Sequence, residues 1–238
     1  MKSQASLLQG LIKQGEHQQQ DFKFKIDDAP KLARSVSAFA NTDGGRLLIG
    51  VRDDGSIHGV RSEEEIFMMH AAAYKYCTPA PTIKFETLHV PTSPMGGKLR
   101  TVVICTVEPS AMRPVFALEE TGTGSATEEG NPQHHQRQRT AFIRVADENI
   151  VASPIHLAIW RQQQRLQGEA YADTPEERAL LNAIETHAEG LTLNQLLRTV
   201  SPSSMRRQAA IETLARFVRF NLAQLIRLNN TWVICPST

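Results

Sequence analysis

The chain has 238 residues, 41% of them hydrophobic and 21% charged, which excludes collagen-like, coiled-coil and wholly disordered classes. Basic and acidic side chains nearly cancel, 26 against 25, so overall charge does not single out a polyanionic partner. No apolar run approaches the ~18 residues of a membrane span. Met1-Lys2-Ser3-Gln4 lacks the core of a secretory signal, and three distant cysteines (Cys77, Cys105, Cys235) outline no disulfide framework or zinc knuckle. A cytoplasmic protein without membrane attachment is expected.

Leu7, Leu8, Leu11 and Ile12 share one face of a predicted helix over 4–14, ended by Gly15. Residues 21–26 alternate polar and apolar as a strand does. Pro30 opens a second helix, whose buried stripe is Leu32, Val36, Phe39 and Ala40, stopped at Asn41-Thr42-Asp43-Gly44-Gly45. Residues 46–51 and 56–60 flank Asp54-Gly55 and read as a hairpin. A helix over 63–76 and strands over 82–90 and 99–108 follow, with a loop at 91–97. The polar stretch 119–139 reads as a mobile insertion, because it lacks the apolar surface needed to offset ordering. A strand at 141–145 and a helix over 154–167 lead into a linker at 168–173.

Beyond the linker the pattern changes. Thr174-Pro175-Glu176-Glu177 is a capping box opening a helix closed by Gly190, and Thr192 caps a shorter one. Ser201-Pro202-Ser203 breaks the chain before a longer helix with Ala210, Ile211, Leu214 and Phe217 inward. Residues 223–228 and 231–234 flank Asn229-Asn230 as a second hairpin. Three helices and a hairpin in this order describe a winged helix, a relative of the helix-turn-helix. From Leu191 onward there are six arginines and one acid, Glu212, a net of +5, whereas residues 1–190 carry −4. A polyanion-binding tail on a mildly acidic body is implied.

Three stretches of the first part, Asp21-Phe22-Lys23, Ser37-Ala38-Phe39-Ala40-Asn41-Thr42-Asp43-Gly44-Gly45 and Leu48-Ile49-Gly50-Val51-x-Asp53-Asp54-Gly55, together resemble the Schlafen/AlbA-type N-terminal domain. Phe142-Ile143-Arg144-Val145 is similar to that domain's late strand, with Ala146 where glycine is usual. The resemblance spans roughly residues 10 to 160. Bacterial relatives carry labels such as DNA-binding protein, transcriptional regulator or ATP-binding protein, and a short winged-helix tail is common among them. It implies an α+β fold, a mixed-sheet domain with helices over 1–168 and a winged-helix domain over 169–238, and association with DNA or RNA. In members with endoribonuclease activity, two acids about five residues apart and a later one form a metal-dependent site. Glu16, Asp21 and Asp53 match that pattern, with Asp21 where Glu is usual. Those enzymes use two pseudo-symmetric lobes, and one copy here implies a homodimer.

Each candidate site has a plainer alternative. Glu16, Asp21 and Asp53 could hold Mg²⁺ or Mn²⁺ and activate water against a phosphodiester, yet acids beside turns commonly serve the turn. Asn41, Asp43, Gly44 and Gly45 could let backbone N–H groups meet a phosphate, or simply cap a helix. No Walker loop occurs: Gly96-Gly97-Lys98 is followed by Leu99. Lys23, Lys25, Arg46, Arg52 and Arg144 could track a phosphate backbone or be scattered solvated charges. Ser203, Ser204, Arg206, Arg207 and Gln208 open the long tail helix, where a recognition helix presents its side chains, and Arg227 sits on the wing. His134-His135 has no third ligand nearby in sequence, and Trp160 and Trp232 read as packing residues. The leading expectation is a dimeric DNA-binding transcriptional regulator without cofactor. A metal-dependent ribonuclease and a protein-interaction adaptor are the alternatives.

Overall fold

The computed structural model describes residues 4–91, 97–120, 137–164, 174–200 and 205–237. Helix α1 (Gln4–Gln14) is followed by strand β1 (Gln20–Lys23) and helix α2 (Ala29–Asn41). Asp28 caps α2, its Oδ1 accepting from Lys31 N at 2.8 Å, with Pro30 in the first turn. Strand β2 (Gly45–Ile49) leads to helix α3 (Ser62–His70), which runs on as a wider π turn over Ala71–Lys75. Strands β3 (Cys77–Thr78), β4 (Ile83–Pro91), β5 (Leu99–Val107), β6 (Phe116–Glu120), β7 (Arg137–Val145) and β8 (Glu148–Val151) complete the first of two units, Met1–Val151.

Two four-stranded sheets form, β1-β2-β5-β4 and β3-β6-β7-β8. The first is mixed, since β1 runs parallel to β2 while β2, β5 and β4 are antiparallel. Period-two alternation sorts its side chains. Leu47, Ile49, Val103, Cys105 and Val107 join the core around α2, while Leu48, Val102 and Ile104 pack with Leu8, Leu11 and Phe22. Helix α2 also packs against β6 and β7, so both of its faces are covered and even Ser35, Ser37 and Asn41 are buried.

Several expected elements differ. The first strand stops at Lys23. The expected hairpin after β2 reduces to a single Val51–Ile57 bridge, because β1 and β5 already occupy both edges of β2. Gly50 and Gly59, at φ +101° and +77°, turn that segment away. Positions 119–120 and 137–139 of the expected insertion are paired strand, Glu119 opposite Gln138 and Glu120 opposite Arg137. The rest of that stretch, with His134 and His135, lies outside the described residues.

The second unit, Ala152–Thr238, contains helices α4 (Pro154–Gln164), α5 (Pro175–Glu185), α6 (Leu193–Thr199) and α7 (Arg207–Arg219), then strands β9 (Ala223–Leu228) and β10 (Thr231–Pro236). The division falls before α4 rather than after residue 168, because Ile155 and Ala158 enter a core shared with Leu180, Ile184, Leu196, Leu214 and Phe217. The capping box at Thr174 forms with Glu177, and the Thr192 cap extends to a second box with Gln195. The β9–β10 turn holds Asn229 and Asn230 at φ +48° and +62°, values Asn tolerates well. Leu191 and Ile234 exchange backbone hydrogen bonds of 3.0 and 2.8 Å, adding a one-residue bridge to β10. No helix among the described residues is long and apolar enough to cross a membrane.

Candidate nucleic-acid interface

Arg206 is the N-cap of α7 and makes no capping bond with its side chain. Arg206, Arg207, Gln208 and Ala209 are exposed, while Ala210, Ile211 and Leu214 hold the opposite face in the core. Arg207 Nη1 donates to Asn194 Oδ1 on α6 at 2.7 Å, and Gln208 Nε2 to Glu212 Oε1 at 2.9 Å. Ser203 and Ser204 lie outside the described residues.

The other tail arginines do not extend this surface uniformly. Arg216 is ion-paired with the buried Glu177, whose second oxygen accepts from Thr174 N. Arg219 lies over the Phe220 ring, 5.9 Å from its centroid. Arg227 is half-buried and donates to Asn230 Oδ1 at 3.1 Å, while Arg198 is exposed. Within Ala152–Thr238 nine arginines meet seven acids, a net of +2 rather than the +5 of the last 48 residues, because α5 and its flanks bring acids into the same unit. What stands out is the exposed group Arg198, Arg206 and Arg207.

In the first unit the expected phosphate contacts other than Arg52 are occupied. Lys23 Nζ lies 2.7 Å from Asp21 Oδ2, and Lys25 pairs with Asp27 at 3.4 Å. Arg46 donates to Gln20 and Gln14. Arg144 is only 2% exposed. Its guanidinium reaches Asp21 Oδ1 at 3.5 Å, Gln20 O at 3.3 Å and Asn149 Oδ1 at 2.9 Å. It therefore ties β7 to β1 and to the start of β8, and no phosphate can reach it.

The Asn41–Gly45 loop is likewise structural. Asn41 Nδ2 donates to Val115 O and Phe142 O at 2.8 and 2.9 Å, and its Oδ1 accepts from Val115 N at 2.7 Å. A Cβ on Gly44 would stand 2.8 Å from Pro109 Cδ, and one on Gly45 only 2.3 Å from Phe39 Cδ1. These glycines admit neighbouring protein groups rather than a phosphate; of the four candidates only Asp43 is exposed.

Glu16 and Asp21 do come together. Glu16 Oε1 accepts from Phe22 N at 2.8 Å, and its carboxyl shares a hydrogen bond with Asp21. Burial first, and that bond second, push the Glu16 pKa up, while Phe22 N–H and Lys23 oppose the rise. Asp53 does not join them. Asp21 sits opposite Leu47 in the parallel β1–β2 ladder, six residues before Asp53. Among the described residues no group of three or more His, Cys, Asp or Glu converges as a metal site. These acids therefore do not assemble the donor set that Mg²⁺ or Mn²⁺ needs.

A carboxyl whose folded pKa is raised favours folding at low pH, and that contribution is lost as pH rises through the folded value. Glu16→Gln keeps the acceptor for Phe22 N–H and can donate to Asp21 without a proton. Its thermal midpoint should match or exceed the parent's at pH 7 and change less between pH 4 and 7. A steeper dependence in the variant would contradict this assignment.

The first unit, α+β with a mixed sheet and a central helix covered on both faces, is consistent with an AlbA-like domain. Residues 16–153 match the family described as Schlafen, AlbA_2, more than half of the chain, and the protein belongs to that family. Among solved structures, the DIP2311 protein from Corynebacterium diphtheriae is similar at 21% identity with a TM-score of 0.37. The match covers 76% of this chain and 32% of that one, so the chain spans about a third of that protein's length.

Proposed function

We propose that the protein binds nucleic acid and acts as a DNA-binding transcriptional regulator, with its C-terminal unit as a winged helix. Family membership supports a nucleic-acid-related role in the coarse sense. The observation that carries the finer reading is the exposure of Arg206 and Arg207 in the first turn of α7, with exposed Arg198 on α6. In a helix-turn-helix that turn enters the major groove, where arginine bonds guanine O6 and N7. The order α5-α6-α7-β9-β10, with the Leu191 bridge to β10, supports the winged-helix assignment. Readout of a palindromic operator would call for a homodimer, which we include in the proposal.

Duplex DNA titrated at several salt concentrations tests this reading. Replacing both Arg206 and Arg207 by alanine should weaken binding, relax the preference for guanine at the positions read and flatten the dependence of log K on log salt, since two positive charges leave the interface. An unchanged slope removes these arginines from the interface. Sedimentation of the free and DNA-bound protein reads the dimer directly.

A further inference from the structure

The segment after β2 leaves one set of polar groups that neither the fold nor the tail interface uses. Of the two adjacent aspartates, Asp54 serves the turn and Asp53 does not. Asp54 Oδ1 accepts from Ser56 N at 2.8 Å. Hydrogen bonding from the Ser56 side chain first, that backbone bond second, and the nearby Arg52 charge hold the Asp54 pKa down. Among the described residues the Asp53 carboxylate has no hydrogen-bond or ion-pair partner, nor does the Arg52 guanidinium. Arg52 Cζ is held over the Phe24 ring, 5.0 Å from its centroid, and the His58 ring meets the same phenyl at 4.2 Å. Phe24, Arg52, Asp53 and Asp54 line one open cleft of about 500 Å³.

The cleft is built on a firm turn. Arg52 N donates to Ser56 O at 3.0 Å and Gly55 N to Arg52 O at 2.8 Å. Gly55, at φ +80°, leaves no room for a side chain: a Cβ there would stand 2.8 Å from Ile12 Cγ2 on α1. The functional groups are thus held by backbone bonds and by helix packing.

Charge and shape decide what fits. Two carboxylates beside one guanidinium disfavour a phosphate, so the cleft suits a neutral base rather than a nucleic-acid backbone. A guanidinium backed by an aromatic ring offers a flat cationic face on which bases stack. An ionised carboxylate is an acceptor with two oxygens. Guanine alone among the four bases presents two adjacent donors, N1–H and N2–H, on one edge. Adenine would set its N1 lone pair against the carboxylate.

We propose that the Phe24–Arg52–Asp53 cleft is a guanine-binding site for single-stranded nucleic acid, with the base stacked on Arg52 and its N1–H and N2–H donated to Asp53. The site concerns the first unit and unpaired bases, so it stands apart from duplex reading by α7.

Fluorescence anisotropy with the full chain and labelled uridine octamers tests it, the central base being guanine, adenine or hypoxanthine. The guanine octamer should bind about tenfold tighter than the adenine one, in line with the discrimination of a good bidentate pair. Hypoxanthine, lacking the 2-amino group, should fall between. Asp53→Asn should bring guanine to the level of adenine, and Arg52→Ala should weaken all three. Both positions are exposed, so neither change threatens the core. Equal affinity for guanine and adenine, or a preference surviving Asp53→Asn, overturns the proposal. Guanosine monophosphate distinguishes the two sources of the base. If it displaces the octamer at similar concentration, the ligand is a free nucleotide; if it fails, the flanking strand contributes. The double alanine variant at Arg206 and Arg207 should keep the guanine preference, and losing it there would move the site to α7.

Discussion

Arg144→Met should destabilise the first unit by about 3–5 kcal/mol, the cost typical of removing one partner from a buried charge pair. The Arg144 side chain is 1% exposed and that of Asp21 7%, so water screens this pair very little. The guanidinium also bonds Gln20 O and Asn149 Oδ1 and lies over the Phe39 ring, 5.1 Å from its centroid. Methionine fills similar volume but leaves the Asp21 carboxylate with Lys23 as its sole positive neighbour among the described residues, beside the Glu16 carboxyl. A second change, Asp21→Asn, should recover part of the loss, because the uncompensated charge disappears. Calorimetry can follow the first unit, whose midpoint should fall by about 10 °C. Both tryptophans, Trp160 and Trp232, belong to the second unit, so fluorescence follows that unit apart from the first. A loss below about 1 kcal/mol would show that Arg144 is not the tie the geometry makes it.

Acid should weaken the second unit through His156. Burial depresses its pKa from the ordinary 6.5 to about 4. Its Nδ1 lies 2.8 Å from Ser153 Oγ, and its ring meets Trp232 edge-on at 4.6 Å. Because the folded pKa is depressed, the folded unit holds fewer protons than the unfolded chain at intermediate pH. The contribution is complete above pH 6.5 and is lost as pH falls towards 4, about 3 kcal/mol over that interval. Urea unfolding followed by tryptophan fluorescence at pH 7 and pH 4.5 measures this. His156→Phe keeps an aromatic ring against Trp232 and removes the titration, so its pH dependence should be shallower by most of that amount. Equal slopes in parent and variant would remove His156 as the source of the acid sensitivity.

Much of the local structure was readable along the chain. The stripe Leu32, Val36, Phe39 and Ala40, the helix caps at Thr174 and Thr192, and the Asn229-Asn230 turn involve residues within a few positions of each other. Their physics, side-chain periodicity and short-range hydrogen bonding, is complete in a short window of sequence. The motif Phe142-Ile143-Arg144-Val145 pointed correctly to the family and wrongly to a phosphate contact. An arginine in a strand looks the same in sequence whether it faces solvent or a buried acid, and Asp21 lies far away along the chain. The same holds for Asn41, whose partners Val115, just before β6, and Phe142, on β7, lie far along the chain.

Local chemistry along the chain dictated where helices begin, which faces turn inward, which turns take Asn or Gly, and which family motifs are present. Which charges stay available depended on long-range pairing. Folding brings Arg216 to Glu177, Arg144 to Asp21 and Arg46 to Gln20, and it leaves Arg52, Asp53 and Arg206 without such partners among the described residues. A charge's function is set by whether a counter-charge or acceptor stands within a few ångströms, and only the folded chain sets that distance.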